Sequence, residues 1–180
     1  MVNRGEEGKK VGGIPILCCK VGFARLKLTP RGNPGRRTVV SELLGEYSRK
    51  LDAKGRLSLP AEFRKVLSEN LRVTPDPTDQ CLLVFETEAF SAWVESLFEA
   101  QGGYSASNRK MVAQRKVLNS RAKPCEVDNS GRIHLSPQQR DSASLDKDVV
   151  IVGDTDHFEI WDEERWNQFV EDTDVASLVS

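Results

Sequence analysis

The 180-residue sequence lacks any apolar run long enough to cross a membrane. A membrane-spanning helix needs about 20 largely apolar residues in succession. The nearest candidate, residues 12–28, is interrupted by Lys20, Arg25 and Lys27. The same charges, with no small-residue cleavage site after them, argue against a secretory signal peptide. We therefore expect a cytoplasmic protein with no membrane partner.

Cysteine and histidine are scarce, with four and two residues respectively. Nothing in the cysteine spacing indicates a disulfide framework. Cys81, Cys125, His134 and His157 are the residues from which a zinc site would have to be built. They lack the C-x-x-C or H-x-x-x-H spacing that structural zinc sites use. We expect buried thiols and surface imidazoles, and no metal or other cofactor.

Enzyme signatures are also missing from the sequence. There is no G-x-S-x-G, no H-E-x-x-H, no phosphate-binding P-loop and no dinucleotide fingerprint. Asp52 and Asp128 are the one pair of carboxylates that internal symmetry could bring together for acid–base chemistry. Because each precedes an arginine by four residues, a structural ion pair is the simpler interpretation, and we do not expect an enzyme.

Charge is unevenly distributed, although the formal net charge is only −1. Residues 1–40 hold nine Lys/Arg and two Asp/Glu, whereas residues 141–180 hold two basic and twelve acidic residues. A nucleic-acid partner would therefore need a local basic face rather than a basic chain. Residues 1–43 are rich in Gly, Arg and Lys and predict a disordered basic extension. We hypothesise that translation begins at Val39 or Val40, so that the extension is absent in the native host.

What the sequence does contain is an internal repeat. "LDAKGRLSLP" (51–60) and "VDNSGRIHLS" (127–136) align at an offset of 76 residues, and the same offset lays "CLLVFETEAF" (81–90) over "HFEIWDEERW" (157–166). An ungapped offset over this length indicates two copies of one unit. We predict a first unit at 44–98, a linker with a basic helix at 99–121, a second unit at 122–170 and a tail at 171–180.

Local patterns predict an α+β fold of short strands and small helices. Asp52–Gly55 has the residue types of a β-turn, and the alternation in "RLSL" after it predicts a hairpin. Pro60 opens a short helix with Phe63, Val66 and Leu67 on its inner face. A longer helix begins near Thr87, the predicted cap. Its inner stripe comprises Phe90, Trp93, Val94, Leu97 and Phe98.

The repeated Asp-x-x-Gly-Arg turn is the candidate functional feature. A well-formed turn accounts for its Asp and Gly, but a turn does not require the arginine. A basic hairpin fits the major groove of DNA, where Arg binds guanine and Lys binds phosphate. The predicted DNA-binding residues are Arg49, Lys50, Lys54, Arg56, Arg64 and Arg132, and the predicted turn-shaping residues are Asp52, Gly55, Asp128 and Gly131. The first turn is the more basic, so it is the better DNA reader.

Four segments carry a family resemblance: "GEYSRKLDAKGRLSLPAEFR", "CLLVFETEAFSAW", "CEVDNSGRIHL" and "VVIVGDTDHFEIWDEERW". Together they resemble the MraZ family over residues 44 to about 170. The family's Asp-x-x-x-Arg motif falls on Asp52 and Arg56, and again on Asp128 and Arg132.

The resemblance implies two pseudo-symmetric units of the AbrB swapped-hairpin type, assembled into a homo-oligomeric ring of about eight subunits or more. It further implies a nucleoid-associated regulator that binds repeated boxes in double-stranded DNA. Such a regulator usually represses its own division and cell-wall gene cluster. The alternative is a ring-forming protein-interaction scaffold without specific DNA binding.

Overall fold

The computed structural model of the chain describes residues 42–78 and 80–179, and it has a mixed α+β architecture, as predicted. The strands are β1 (Glu46–Lys50), β2 (Arg56–Ser58), β3 (Asn70–Pro75), β4 (Leu82–Glu86), β5 (Lys123–Glu126), β6 (Arg132–His134), β7 (Asp148–Asp154) and β8 (His157–Asp162). The helices are α1 (Ala61–Val66), α2 (Thr87–Glu99), α3 (Arg109–Arg121), α4 (Pro137–Ser142) and α5 (Glu163–Asp172), followed by a 3₁₀ helix at Val175–Val179.

Strands of the two repeats are interleaved within one antiparallel sheet. The order of this six-stranded sheet is β1-β7-β8-β4-β3-β5, and β2 and β6 form a separate two-stranded ribbon. β1 of the first repeat pairs with β7 of the second, and β5 of the second repeat pairs with β3 of the first. Each repeat therefore supplies hydrogen-bonding partners that the other requires, because buried backbone groups must be paired.

The pairing registers reveal a local twofold axis. Leu57 faces Ile133 in the β2–β6 ribbon, and Leu83 faces Glu159 in the β4–β8 pair. In both cases the facing residues are equivalents, 76 positions apart in the sequence. The offset found in the sequence is therefore also the offset between the two halves of the fold.

The predicted hairpin takes a different form from the one expected. Its turn is present, since the Asp52 amide donates to the Arg56 carbonyl at 3.0 Å. The flanking strands β1 and β2, however, are hydrogen-bonded to β7 and β6 of the other repeat and not to each other. A pattern of alternating residues determines which face of a strand is buried, but not which strand pairs with it.

Two apolar clusters hold the sheet and helices together. One contains Phe63 and Phe158, whose ring centroids lie 5.4 Å apart. The other lies beneath α2 and is centred on Phe85 and Trp161. In α2 the residues Phe90, Val94 and Phe98 are buried, whereas Trp93 and Leu97 are half-buried.

Three details of the sequence prediction are corrected. Val66 is 39% exposed because it is the last residue of the six-residue helix α1. Thr87 does not cap α2: the capping position is Glu86, which makes no side-chain cap hydrogen bond. Strand β3 was not predicted, although Leu71 and Val73 alternate with polar residues along it, because the run is short and ends at Pro75.

The other predicted segments compare with the structure as follows. The basic linker helix is present as α3, with Asn108 as its cap. The extension predicted for residues 1–43 lies outside the described residues except at its end, where Leu43 is buried and pairs with Thr155. Within the part of the chain that the structure describes, no helix is both long and apolar enough to cross a membrane.

His157 is a buried titratable group at the start of β8, with only 9% of its surface exposed. Its ring stacks on Phe85 with a centroid separation of 4.5 Å. Nδ1 lies 2.8 Å from Asp156 Oδ1, and Nε2 lies 3.8 Å from Glu159 and 4.0 Å from Asp154. Burial alone would lower the pKa of His157, but the hydrogen bond to Asp156 and the nearby carboxylates of Glu159 and Asp154 outweigh it and raise the pKa to about 9.

We predict that the free energy of unfolding falls between pH 6.5 and pH 9. The folded state holds the His157 proton more tightly than the unfolded state. Its contribution is therefore complete below the unfolded pKa and is lost as pH rises through the folded one. The loss should be on the order of 3 kcal/mol. Denaturant titrations at fixed protein concentration across this range measure it. The His157→Gln variant should lack the loss of stability that comes from His157. Parallel profiles of stability against pH for the variant and the wild type would contradict the assignment of that loss to His157.

Candidate nucleic-acid interface

The first turn is built around the carboxylate of Asp52. Oδ1 accepts hydrogen bonds from the backbone amides of Lys54 and Arg56 at 2.8 and 2.9 Å. Oδ2 accepts from Arg56 Nε at 2.6 Å. The Gly55 amide donates to the Asp52 carbonyl at 2.9 Å and closes the turn. One aspartate thus shapes the turn and holds the arginine that follows it.

The second turn repeats this arrangement. Asp128 Oδ1 accepts from the amides of Ser130 and Arg132 at 2.8 and 3.0 Å, and Oδ2 accepts from Arg132 Nε at 2.9 Å. Gly131 closes the turn with a 2.8 Å hydrogen bond to the Asp128 carbonyl. Because the same contacts occur in both repeats, the side-chain geometry follows from the turn sequence itself.

These contacts keep both carboxylates ionised. The backbone hydrogen bond from Arg56, supported by its side chain and by the Lys54 amide, lowers the pKa of Asp52 to about 2. The side-chain hydrogen bond from Arg132 lowers the pKa of Asp128. Groups that stay ionised at all ordinary pH values are poorly suited to general acid–base catalysis, which requires a pKa near the working pH. The structure therefore gives these aspartates the contacts of ion pairs, not those of a catalytic pair.

Each turn packs against a helix of the other repeat. Gly55 has φ +76° and Gly131 has φ +70°, in the left-handed region that favours glycine. A Cβ atom on Gly55 would lie 2.5 Å from the Leu135 carbonyl and 3.3 Å from Arg140 Nε. A Cβ atom on Gly131 would overlap the side chain of Arg64. The arginine of α4 therefore covers the first turn, and the arginine of α1 covers the second.

The β2–β6 ribbon presents a polar outer face. Leu57 and Ile133 are fully buried on its inner side. Because strand side chains alternate between faces, the residues on either side of them point outward. The outward residues are Arg56, Ser58, Arg132 and His134. We call this set the ribbon face. Arg56 and Arg132 are half-buried on it, and Ser58 and His134 are exposed.

The structure thus brings together some of the predicted DNA-binding residues but not all. Arg56 and Arg132 share the ribbon face, and Lys54 is exposed at the tip of the first turn. Arg49 and Lys50 lie instead in β1 of the six-stranded sheet, where Lys50 forms an ion pair with Asp148.

Three residues close to the turns were missed by sequence reasoning. They are Ser58, His134 and Arg140. The period-two alternation that placed Arg56 outward applies equally to Ser58 and His134, so that signal was available. Arg140 aligns with Arg64 at the 76-residue offset, but its contact with Gly55 could not be predicted, because that contact depends on the exchange of elements between repeats. Among the described residues, its buried Nε has no hydrogen-bond partner.

The residues considered for a zinc site do not converge as a set. The Cys125 thiol donates to the His134 carbonyl at 3.7 Å rather than facing its ring. Burial raises the pKa of the Cys81 thiol, which is 2% exposed. In the described part of the chain, the one close group of three metal-ligand-type side chains contains Asp154, His157 and Glu159, with no cysteine.

Comparison with known proteins matches the chain to one family over most of its length. The family model described as "MraZ protein, putative antitoxin-like" matches residues 43–112 and 118–179. The transcriptional regulator MraZ of Lachnoclostridium phytofermentans is 39% identical over 123 residues, which is 68% of this chain and 83% of that protein. The protein of the same name from Alkaliphilus metalliredigens is 32% identical over 74% of this chain and 90% of that protein. The one from a Nocardioides species is 40% identical over 70% and 84%.

We predict that Gly55→Ala destabilises the fold more than Gly102→Ala does. Both glycines have positive φ, but a Cβ atom at Gly102 would have no atom within 4 Å, whereas one at Gly55 meets a backbone carbonyl. Gly102→Ala should cost about 1 kcal/mol from backbone strain alone. Gly55→Ala should cost at least about 2 kcal/mol, since the clash adds to that strain. Denaturant unfolding at equal protein concentration compares the two, and equal losses would mean that the packing of the turn contributes little.

Proposed function

The chain belongs to the MraZ family, and on that basis we propose that it binds double-stranded DNA sequence-specifically and thereby regulates transcription. Its targets are repeated boxes upstream of its own division and cell-wall gene cluster, which it represses. In this role the chain works as a DNA-binding protein without catalysis, and it resides in the cytoplasm on the nucleoid.

The observation that carries this proposal is the pair of aspartate-held arginines on the ribbon face. A two-stranded ribbon fits the major groove, where a guanidinium group can bind guanine O6 and N7. The ion pairs of Arg56 with Asp52 and of Arg132 with Asp128 hold both side chains in place before binding. Less side-chain entropy is then lost when DNA binds.

The lysines and remaining arginines are assigned to the DNA backbone. Lys54 stands at the tip of the first turn, and its ammonium group suits a phosphate. Arg49 and Lys50 on β1 would contact phosphates at the flank of the ribbon, with Lys50 exchanging Asp148 for DNA. Arg64 lies against Gly131, so its contribution would come from the second turn. The turn tips differ in charge, since Lys54 corresponds to Ser130, and this favours the first turn as the main reader.

One ribbon alone would bind DNA weakly, because few phosphate contacts are made and each is sensitive to salt. Several ribbons at fixed spacing raise the effective concentration of each for its own box. We therefore assign the chain to a ring of about eight or more subunits. Within each subunit, AbrB-type swapped-hairpin units at 44–98 and 122–170 are joined by the 99–121 linker. The exchange of strands between repeats supports this assignment.

We predict that Arg56→Ala weakens binding to the native upstream fragment by about 1–3 kcal/mol. The readout is fluorescence anisotropy of a labelled fragment from upstream of the gene for this chain. A scrambled fragment of equal composition serves as the reference, at two salt concentrations. Arg132→Ala is the matched control, because it removes an equivalent ion pair from an equivalent turn. Its loss should be smaller, since the second turn is less basic.

Light scattering on the same samples separates the two candidate functions. A DNA reader retains its oligomeric state when Arg56 is replaced. If Arg56→Ala disassembles the protein, and the wild type binds both fragments equally at low salt and neither at moderate salt, the scaffold function is favoured instead.

A further inference from the structure

The ribbon face is symmetric in its backbone but not in its chemistry. The local twofold axis through Leu57 and Ile133 exchanges Arg56 with Arg132 and Ser58 with His134. The first exchange relates two arginines, whereas the second relates a hydroxyl to an imidazole. The one pair of outward positions that differs between the repeats is therefore Ser58 and His134.

His134 stands directly opposite Arg56 across the ribbon. The next residue, Leu135, donates its amide to the Gly55 carbonyl at 2.8 Å, so this end of the ribbon is fixed to the first turn. The imidazole is exposed, and within the described residues its ring makes no hydrogen bond, ion pair or aromatic contact. Its position is thus held by the backbone while both ring nitrogens remain available to a ligand.

Ser58 occupies the equivalent position at the other end. It faces Arg132, and Leu59 donates to the Gly131 carbonyl at 3.0 Å, which fixes this end to the second turn. The hydroxyl of Ser58 is short and reaches less far than an imidazole. The two ends of the ribbon consequently present different donors at matching positions. One end has Lys54, Arg56 and His134, and the other has Ser130, Arg132 and Ser58.

Duplex DNA has a backbone that is itself twofold symmetric about each base pair, while its base edges are not. A chemically symmetric ribbon would bind a given site in either of two orientations with similar affinity. A ribbon with unlike ends gains contacts in only one of them. The major-groove edge of guanine offers the acceptors N7 and O6, and an imidazole always has at least one N–H donor for such an edge.

We propose that His134 is a specificity-determining residue that contacts a purine edge beside the base pair read by Arg56. This contact gives the pseudo-symmetric ribbon one preferred orientation on its DNA site. The proposal rests on the DNA-binding function put forward above and names a residue of the same face that the Asp-x-x-x-Arg motif does not include.

The experiment compares base-pair preferences of the wild type and His134→Ser, which installs the residue found at the equivalent position 58. Each base pair of the native upstream fragment is replaced in turn, and binding is measured by anisotropy at one fixed salt concentration. At one position, substitution should weaken wild-type binding about fivefold or more and weaken His134→Ser binding less than about twofold. Both proteins should still prefer the native fragment to the scrambled one, because the two arginines of the ribbon face are unchanged.

A control variant makes the result specific. Ser58→Ala should retain the wild-type profile at that position. Thermal melting confirms that each variant is folded, which is expected because both positions are exposed.

The outcomes separate this inference from the proposed function. If the wild type prefers the native over the scrambled fragment but His134→Ser retains every base preference, His134 does not contact a base and the inference is overturned alone. If Ser58→Ala loses sensitivity at the same base pair, the effect is not specific to His134 and the inference is again overturned. If the wild type itself does not distinguish the two fragments, the proposed function fails and takes this inference with it.

Discussion

The three strands that carry a proposed DNA contact are each hydrogen-bonded to a strand of the other repeat. β1, with Arg49 and Lys50, pairs with β7, and β2, with Arg56, pairs with β6, which carries Arg132. A single repeat of some fifty residues would bury little apolar surface on its own and would leave the backbone groups of these strands without partners. The exchange of strands buries more apolar surface and gives these backbone groups hydrogen-bonding partners. The candidate site and the fold therefore depend on the same strand pairing.

This constraint explains why each turn is held by contacts from two sides. Each is held from within by an aspartate, and from outside by an arginine of the opposite repeat, Arg140 over Gly55 and Arg64 over Gly131. The glycines leave room for those arginines, and the aspartates fix the arginines that point outward. The outward guanidinium groups are therefore positioned by contacts that exist before any ligand arrives, which favours affinity by reducing the ordering that binding requires.

Much of this arrangement could be predicted from the sequence, and the exceptions have two causes. The offset of 76 residues, the turns, the helix that starts after Pro60 and the strand at 82–86 follow from local patterns. Strand β3, which pairs with β4, was not predicted because its alternation of Leu71 and Val73 with polar residues is short and ends at Pro75, a residue that counts against a strand. The partner of each strand and the contact of Arg140 with Gly55 could not be predicted from the sequence. The alternation of residue types shows which face of a strand is buried, whereas tertiary packing decides which strand pairs with it.

Pseudo-symmetry also indicates where the two repeats are free to differ. The buried centre of the ribbon and the turn aspartates have the same chemical character in both halves: Leu57 matches Ile133, and Asp52 matches Asp128. On the outward side of the ribbon and at the turn tip the repeats differ at exposed side chains: Ser58 matches His134, and Lys54 matches Ser130. Because these side chains are exposed, a difference there should cost little stability, and in the proposed function it would alter recognition. A duplicated unit bound to the symmetric backbone of DNA would acquire direction in this way, from side chains alone.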